Sequence, residues 1–315
     1  MISISEALVK RWGGIKLNEP ATAAEAILAA GLEWEVEKHP LFLADGRPVN
    51  RVALVRSDNR TILGTATPRY STIQNLEAFE FFDEIVGRGE AAYHAAGAFR
   101  DGERVYILAK LPGTIRTIMD DVSEKFLLLT TGHDGVNSLQ ALFLPVRVFC
   151  TNVLPRLLSR VAVTIRHTVG NVKHKLTEAR RLLGIADNQF TKMEDVSKSL
   201  ASRQMTTAEL GAYVSALVPD PEIPTERSLG SVKRRRETIH RLFETGRGND
   251  YAGVRGTAWA ALNAAVEFAD YDLPVRGRSD SERTSRRAES ALFGRGSNFK
   301  TRALNLLVPL VGIQN

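Results

Sequence analysis

The sequence predicts an α+β fold, with a strand-rich mixed or antiparallel sheet in the N-terminal half and a helical C-terminal half. Three observations predict it. Two-residue alternation and Asp-Gly turns cluster before residue 150. After Pro155 the apolar residues recur at helical spacing. The longest dense run of core-type residues, Lys125 to Leu158, lies between these textures and is expected at the centre of the sheet.

Residues 1–20 carry little pattern. Thr22 with Glu25 forms a capping box that opens an Ala-rich helix ending at Gly31. Trp34–Glu37, Val52–Val55 and Thr61–Thr67 read as strands of a meander, with Asp45-Gly46 as a turn. Asn75 is expected to cap a helix running through Val86, whose Phe79, Phe82 and Val86 share one stripe. Tyr93–Phe99 and Arg104–Leu111 read as a hairpin around Asp101-Gly102.

Within the central stretch, Phe126–Leu129 and Leu139–Leu144 are strands joined across Gly132-His133-Asp134-Gly135, and Pro145 stops the second. Val146–Val148 alternates as a short strand, and Asn152 is expected to cap a helix that tolerates Pro155 early. A strand is expected at Val161–His167. Helices follow over 172–183, ended by Gly184, then over 187–201 and 207–217, the last opened by the Thr206/Glu209 capping box. Pro219 to Pro224 is the clearest linker, and helices follow at 229–245, 254–269, 282–292 and 299–311. The expected organisation is an α+β core over 1–218 and a helical basic region over 225–315, packed on or following it.

The 315 residues suffice for one large domain or two ordinary ones, and 43% hydrophobic with 25% charged residues is a globular composition. A charged-then-apolar leader pattern is absent, and no apolar run reaches the roughly 18 residues of a membrane span. The single cysteine, Cys150, excludes an internal disulfide and a cysteine-built metal site. These features point to a cytoplasmic protein with no membrane partner.

Net charge is +6, and residues 224–302 carry 16 Lys and Arg against 10 Asp and Glu, so the whole excess sits in the C-terminal third. A local basic excess is the electrostatic footprint of a polyanion binder. Its candidates are Lys233, Arg234, Arg235, Arg236 and Arg241 on one helix, then Arg276, Arg278, Arg286, Arg287, Arg295, Lys300 and Arg302. Tyr251, Trp259, Phe293 and Phe299 are the rings on which bases would stack, although the mid-helix place of Trp259 is that of a core residue. Glu237, Glu244, Glu282 and Glu289 are interleaved with these cations, which is also the pattern of a solvated helix face.

Catalytic motifs are scarce. The Walker-type phosphate loop, the three-glycine dinucleotide fingerprint, HExxH and the serine nucleophile elbow are all absent. None of the eleven lysines has an acidic residue two positions before it, which removes one common metal-dependent nuclease core. Asp120, Asp121, Asp134 and His133 are the remaining weak candidates for a divalent-ion site, with magnesium the natural ion for hard oxygen ligands. Turn geometry alone accounts for Asp134-Gly135, and a buried small hydrophobe is the expected role of Cys150.

With these residues laid out, the chain resembles the phage/plasmid-like proteins of domain-of-unknown-function family 932. The resemblance rests on Tyr70–Asn75 with Glu77–Phe79, Ala96–Phe99, Ala109–Pro112, Leu128–Thr130 with His133–Gly135, and Pro145–Asn152. It continues through Arg166–Thr168, Gly170–Val172, Thr257–Asn263 and Glu289–Gly294, and so spans about residues 50 to 305. It brings no catalytic residues. It implies a mobile-element protein and raises the expectation of DNA transactions such as recombination or replication. The leading expectation is therefore a homo-oligomeric binder of single-stranded DNA, acting in annealing, without enzymatic activity or cofactor. Two other readings stand beside it: a divalent-metal enzyme acting on nucleotides or nucleic acid, and a non-enzymatic interaction factor whose basic helices meet an acidic protein.

Overall fold

A computed structural model describes residues 4–17, 22–118, 121–136, 139–148, 150, 152–155, 163–164 and 172–313. The protein is α+β, with antiparallel sheets in the N-terminal half and helices in the C-terminal half. The main sheet has six strands in the order β1 (Ile15–Lys16), β5 (Ala92–Phe99), β6 (Arg104–Ile118), β7 (Asp121–Gly132), β8 (Gln140–Arg147) and β9 (Val163–Thr164). A second sheet is the expected meander: β2 (Val36–Phe42), β3 (Pro48–Arg56) and β4 (Ile62–Ala66).

The density of the central stretch follows from burial on both sheet faces. Leu127 and Leu129 enter one apolar core with Val105, Ile107 and Ala141. Phe126 and Leu128 alternate into a second core with Tyr106, Leu108, Leu142 and Leu144. The first face is covered by α2 (Ala23–Ala29), α3 (Asn75–Phe79), the short α4 (Asp83–Val86) and the long α5 (Val172–Ser202). The second is covered by α1 (Ile4–Trp12), through Leu8 and Trp12, and α9 (Asp280–Phe293), through Ala288 and Leu292.

Both Asp-Gly hairpins form. β5 and β6 pair from Phe99↔Arg104, and β7 and β8 from Thr130↔Gln140. Gly135 takes φ +80°, and a Cβ there would stand 2.6 Å from Thr65 O, while one on Gly64 would stand 2.4 Å from Asp134 O. The tetrad is therefore wedged backbone to backbone against β4, where only glycine fits.

Several expectations give way. Pro145 does not stop a strand; it lies inside β8 opposite Lys125, and its carbonyl accepts from Leu154 N. Asn152 caps no helix. Residues 152–155 double back on β8, with Arg147 N donating to Asn152 O, and the Asn152 side chain is buried. Asn75 is likewise no cap: Gln74 takes that position, and Asn75 Nδ2 donates to Leu32 O at 2.8 Å and Trp34 O at 3.3 Å. Of the strand expected at 161–167, Val163–Thr164 is present as β9 and the rest lies outside the described residues. The weakly patterned start contains α1.

Gly184 does not end a helix, because α5 runs through it. The buried stripe Ala179, Leu182, Ala186, Phe190, Met193 and Leu200 continues in phase across that position, and packing outweighs a propensity cost of about 1 kcal/mol. Nothing lies within 4 Å of a Cβ built on Gly184. Gly184→Ala is expected to raise stability by about 0.5–1 kcal/mol in urea denaturation, with an unchanged denaturant slope.

The remaining helices match their expected places: α6 (Thr207–Leu217), α7 (Glu226–Thr245), α8 (Ala258–Glu267) with a π-helical turn at Phe268–Asp272, α9, and α10 (Arg295–Leu307). Thr206 and Glu209 make the expected reciprocal cap, with Glu209 N donating to Thr206 Oγ1 at 3.2 Å and Thr206 N donating to Glu209 Oε2 at 2.8 Å. The first core extends from Leu17 to Val308, so the helices beyond residue 225 share it with the sheet. Among the described residues no helix is long and apolar enough to cross a membrane.

Candidate nucleic-acid interface

Between the β5–β6 turn and α9 runs an open cleft of about 1560 Å³. Its sheet-side wall holds Arg100, Asp101, Glu103 and Arg104, with Trp12 and Gly13 from the end of α1. The opposite wall is formed by Arg276 and Ser279 of the loop before α9, by Glu282, Arg286, Glu289, Ser290 and Phe293 of α9, and by Arg295 at the start of α10. Arg235 reaches the cleft from α7 and Asp134 from the β7–β8 turn. α9 holds its place because Ala288 and Leu292, one turn apart, enter the sheet-face core while Glu282, Arg286 and Glu289 line the cleft. Ser279 caps it, accepting from Glu282 N at 3.1 Å.

Six arginines thus meet five carboxylates. Arg100 is bound at 2.7 Å by Glu289 and at 3.3 Å by Glu103, and Arg286 at 2.7 Å by Glu282. Among the described residues no carboxylate lies within ion-pair distance of Arg104, Arg235, Arg276 or Arg295. The guanidinium of Arg104 covers the Phe293 ring at 4.0 Å from its centroid. Burial holds Arg104 below the ordinary arginine value, against the pull of Glu289 and Asp134.

The structure divides the sequence candidates. Arg235, Arg276, Arg286 and Arg295 line the cleft together, though they come from three helices and a loop. Lys233, Arg234, Arg241 and Arg278 lie outside its lining, and Lys233 stands 3.9 Å from Glu237. Arg236 is tied to Asp220 at 3.0 Å and donates to Val218 O at 2.9 Å. Arg287 donates to the carbonyls of Tyr271 and Leu273, and Arg302 to Ala216 O at 2.6 Å. Lys300 is no surface cation; it is 2% exposed and bound to Asp270 at 2.9 Å, so it cannot meet a polyanion.

Three of the four stacking candidates pack into the protein, Trp259 as its mid-helix place suggests. Trp259 is buried and donates to Asp121 Oδ2 at 2.5 Å. Phe299 packs against Phe268 at 5.5 Å, and Tyr251 packs on the main core. Phe293 is in the cleft, with one face under Arg104 and its ring edge-to-face with Phe99 at 6.1 Å. Arg100 and Arg104 were missed in the sequence. There the Arg100-Asp101-Gly102 segment reads only as a turn, and no spacing rule connects it to residues 276–295.

The proposed metal constellation does not assemble. Asp121 and Asp134 stand at opposite ends of β7, about 35 Å apart at the rise of an extended strand. Asp121 is locked to Arg147, accepting from Nε at 2.8 Å and Nη2 at 2.9 Å. Asp120 lies outside the described residues. Among the described residues no three His, Cys, Asp or Glu side chains are grouped to hold an ion. Burial pushes the Cys150 thiol up, with the Arg147 guanidinium pulling the other way, and the side chain is inaccessible.

His133 is structural. Its Nε2 lies 2.7 Å from Asn75 Oδ1; because Asn75 Nδ2 already donates to two carbonyls, Oδ1 is the acceptor and Nε2 carries the proton. Burial lowers its pKa from 6.5 to about 4, and Asp134 opposes this only in part. The folded state therefore resists protonation, and the unfolded chain takes up the proton first as pH falls below 6.5. Stability is expected to drop by up to roughly 3 kcal/mol between pH 6.5 and 4 and to level below that. His133→Gln should flatten this acid limb in denaturation curves across that range.

No curated protein and no solved structure matches the chain. A family model described as a domain of unknown function, DUF932, matches residues 62–292. That span holds the β5–β8 sheet, its covering helix α5 and almost all of the helical wall of the cleft, and over nearly three quarters of its length the chain belongs to the DUF932 family.

Proposed function

We propose that this protein binds single-stranded nucleic acid in the cleft between the β5–β6 turn and α9, as a non-enzymatic factor for annealing or recombination. One observation carries the reading. Four arginines with no carboxylate at ion-pair distance among the described residues, Arg104, Arg235, Arg276 and Arg295, come from separate parts of the chain and line one open cleft. A solvated helix face pairs its charges locally, as Arg286 does with Glu282. Here the unpaired cations converge instead, the arrangement a phosphate chain requires.

The test is fluorescence anisotropy of a labelled single-stranded oligonucleotide at low ionic strength. Saturable binding that weakens steeply with added salt is expected. Absence of binding at low salt overturns the reading.

A further inference from the structure

The buried side of α7, made by Val232, Ile239, Leu242 and Phe243, packs into the main core. Its outward side carries Arg227, Arg234 and Arg241, which recur every seven residues and are all exposed. Seven residues make almost two helical turns, so the three cations form one stripe. They stand about 10.5 Å apart in a row about 21 Å long. Only short side chains separate them on that stripe: Gly230, Ser231 and Thr238. The Arg234 guanidinium lies back over Gly230, where a built Cβ would meet Nη1 at 3.5 Å.

Among the described residues no carboxylate lies within ion-pair distance of Arg227, Arg234 or Arg241. The helix has acids of its own, but Glu226, Glu237 and Glu244 lie along the flank of the stripe, and Glu237 faces Lys233 at 3.9 Å. Other exposed helices of this protein pair their arginines locally, as Arg181 does with Glu178 and Arg286 with Glu282. A row of like charges without counter-charges attracts a polyanion. The stripe also adjoins the cleft. Arg235 follows Arg234 and lines the cleft, so the two contacts are about 3.8 Å apart along the backbone.

We propose that the Arg227–Arg234–Arg241 stripe is a second contact track for the same strand, which leaves the cleft past Arg235 and continues along α7. This rests on the nucleic-acid reading above and adds where the rest of a long strand lies. The stripe carries no aromatic ring on which a base could stack. Its contacts are therefore to phosphate and read charge, not sequence. A short oligonucleotide fills the cleft alone, and only a longer one reaches the stripe.

The experiment compares two strand lengths by fluorescence anisotropy on the full chain. The labelled single strands have about 6 and about 20 nucleotides, to fall within and beyond the roughly 4–16 that one single-strand module covers. The variant combines Arg227→Gln, Arg234→Gln and Arg241→Gln, and thermal melting confirms its fold. For the long strand the slope of log affinity against log salt concentration is expected to become shallower by about 2 units. Its affinity at low salt should fall by about tenfold or more, while the short strand stays within about twofold of the parent. If the triple variant does not fold, Arg227→Gln with Arg241→Gln decides, with an expected change of about 1.4 units. A folded variant that binds the long strand with the parent's affinity and slope overturns the track and leaves the cleft standing. So does an equal loss for both lengths, which net charge alone would produce. A parent chain that binds neither strand overturns both readings.

Discussion

Replacing Asp121 with alanine is expected to destabilise the protein by about 3–5 kcal/mol, a large share of a typical folding free energy. Arg147 is wholly buried, and Asp121 supplies both of its short hydrogen bonds. The acceptors that would remain, Arg247 O at 3.4 Å, Gly248 O at 3.5 Å and the weakly accepting Cys150 Sγ at 3.9 Å, are too distant to hold a buried guanidinium. The Trp259 indole would also lose its acceptor. The pair joins β7 and β8 to α8, so the loss would fall on the contact between sheet and helices. Equilibrium denaturation in urea measures it. Asp121→Leu combined with Arg147→Met removes both charges and is expected to recover much of the loss. A single variant within about 1 kcal/mol of the parent would show that the guanidinium finds water in solution.

Asp270→Ala is expected to cost a similar 3–5 kcal/mol, and more than Lys300→Met. Asp270 sits in the π-helical turn after α8 and gathers three parts of the chain. Its Oδ1 accepts from Lys300 Nζ at 2.9 Å, its Oδ2 accepts from Val153 N at 3.1 Å, and Arg11 of α1 lies 3.3 Å from Oδ2. Removing the carboxylate takes the Asp270 ion pair from a lysine that is 2% exposed, which keeps its bond to Val153 O at 3.0 Å. Removing the lysine leaves Asp270 still paired with Arg11 and hydrogen-bonded to Val153. The order of the two losses, read from denaturation midpoints at constant slope, is the informative quantity. Equal losses would mean that Arg11 contributes nothing to Asp270.

Most strands and helices that alternation and apolar spacing announce are where the sequence places them, although the caps expected at Asn75 and Asn152 and the stop expected at Gly184 are not. The Asp-Gly turns, the 206/209 cap and the late helices are local in cause. What the sequence reading missed depends on partners distant along the chain. β6 runs on to Ile118 and β7 begins at Asp121, although Thr114–Ile118 and Val122–Glu124 look polar; they alternate, and the hairpin between them supplies the hydrogen bonds. Among the described side chains of α1, Leu8 and Trp12 are the deeply buried ones, too few for a periodic signal, yet both fill the core under α9. Lys300 and Asp121 are ordinary charges in sequence and are buried only because Asp270 and Arg147 arrive beside them. The cleft was half legible: the basic excess of residues 224–302 was visible, but only the fold selects Arg235, Arg276, Arg286 and Arg295 and adds Arg100 and Arg104.

The salt dependence of oligonucleotide binding tests the cleft most directly. Each phosphate contact on a single strand contributes about −0.7 to the slope of log affinity against log salt concentration. Substituting glutamine for Arg235, Arg276 and Arg295 together is expected to make that slope shallower by about 2 units. Substituting glutamine for Lys233 and Arg278, outside the cleft lining, is expected to leave it nearly unchanged. A triple variant with the parent's slope, or a steeper loss from the outer pair than from the cleft three, would contradict the account.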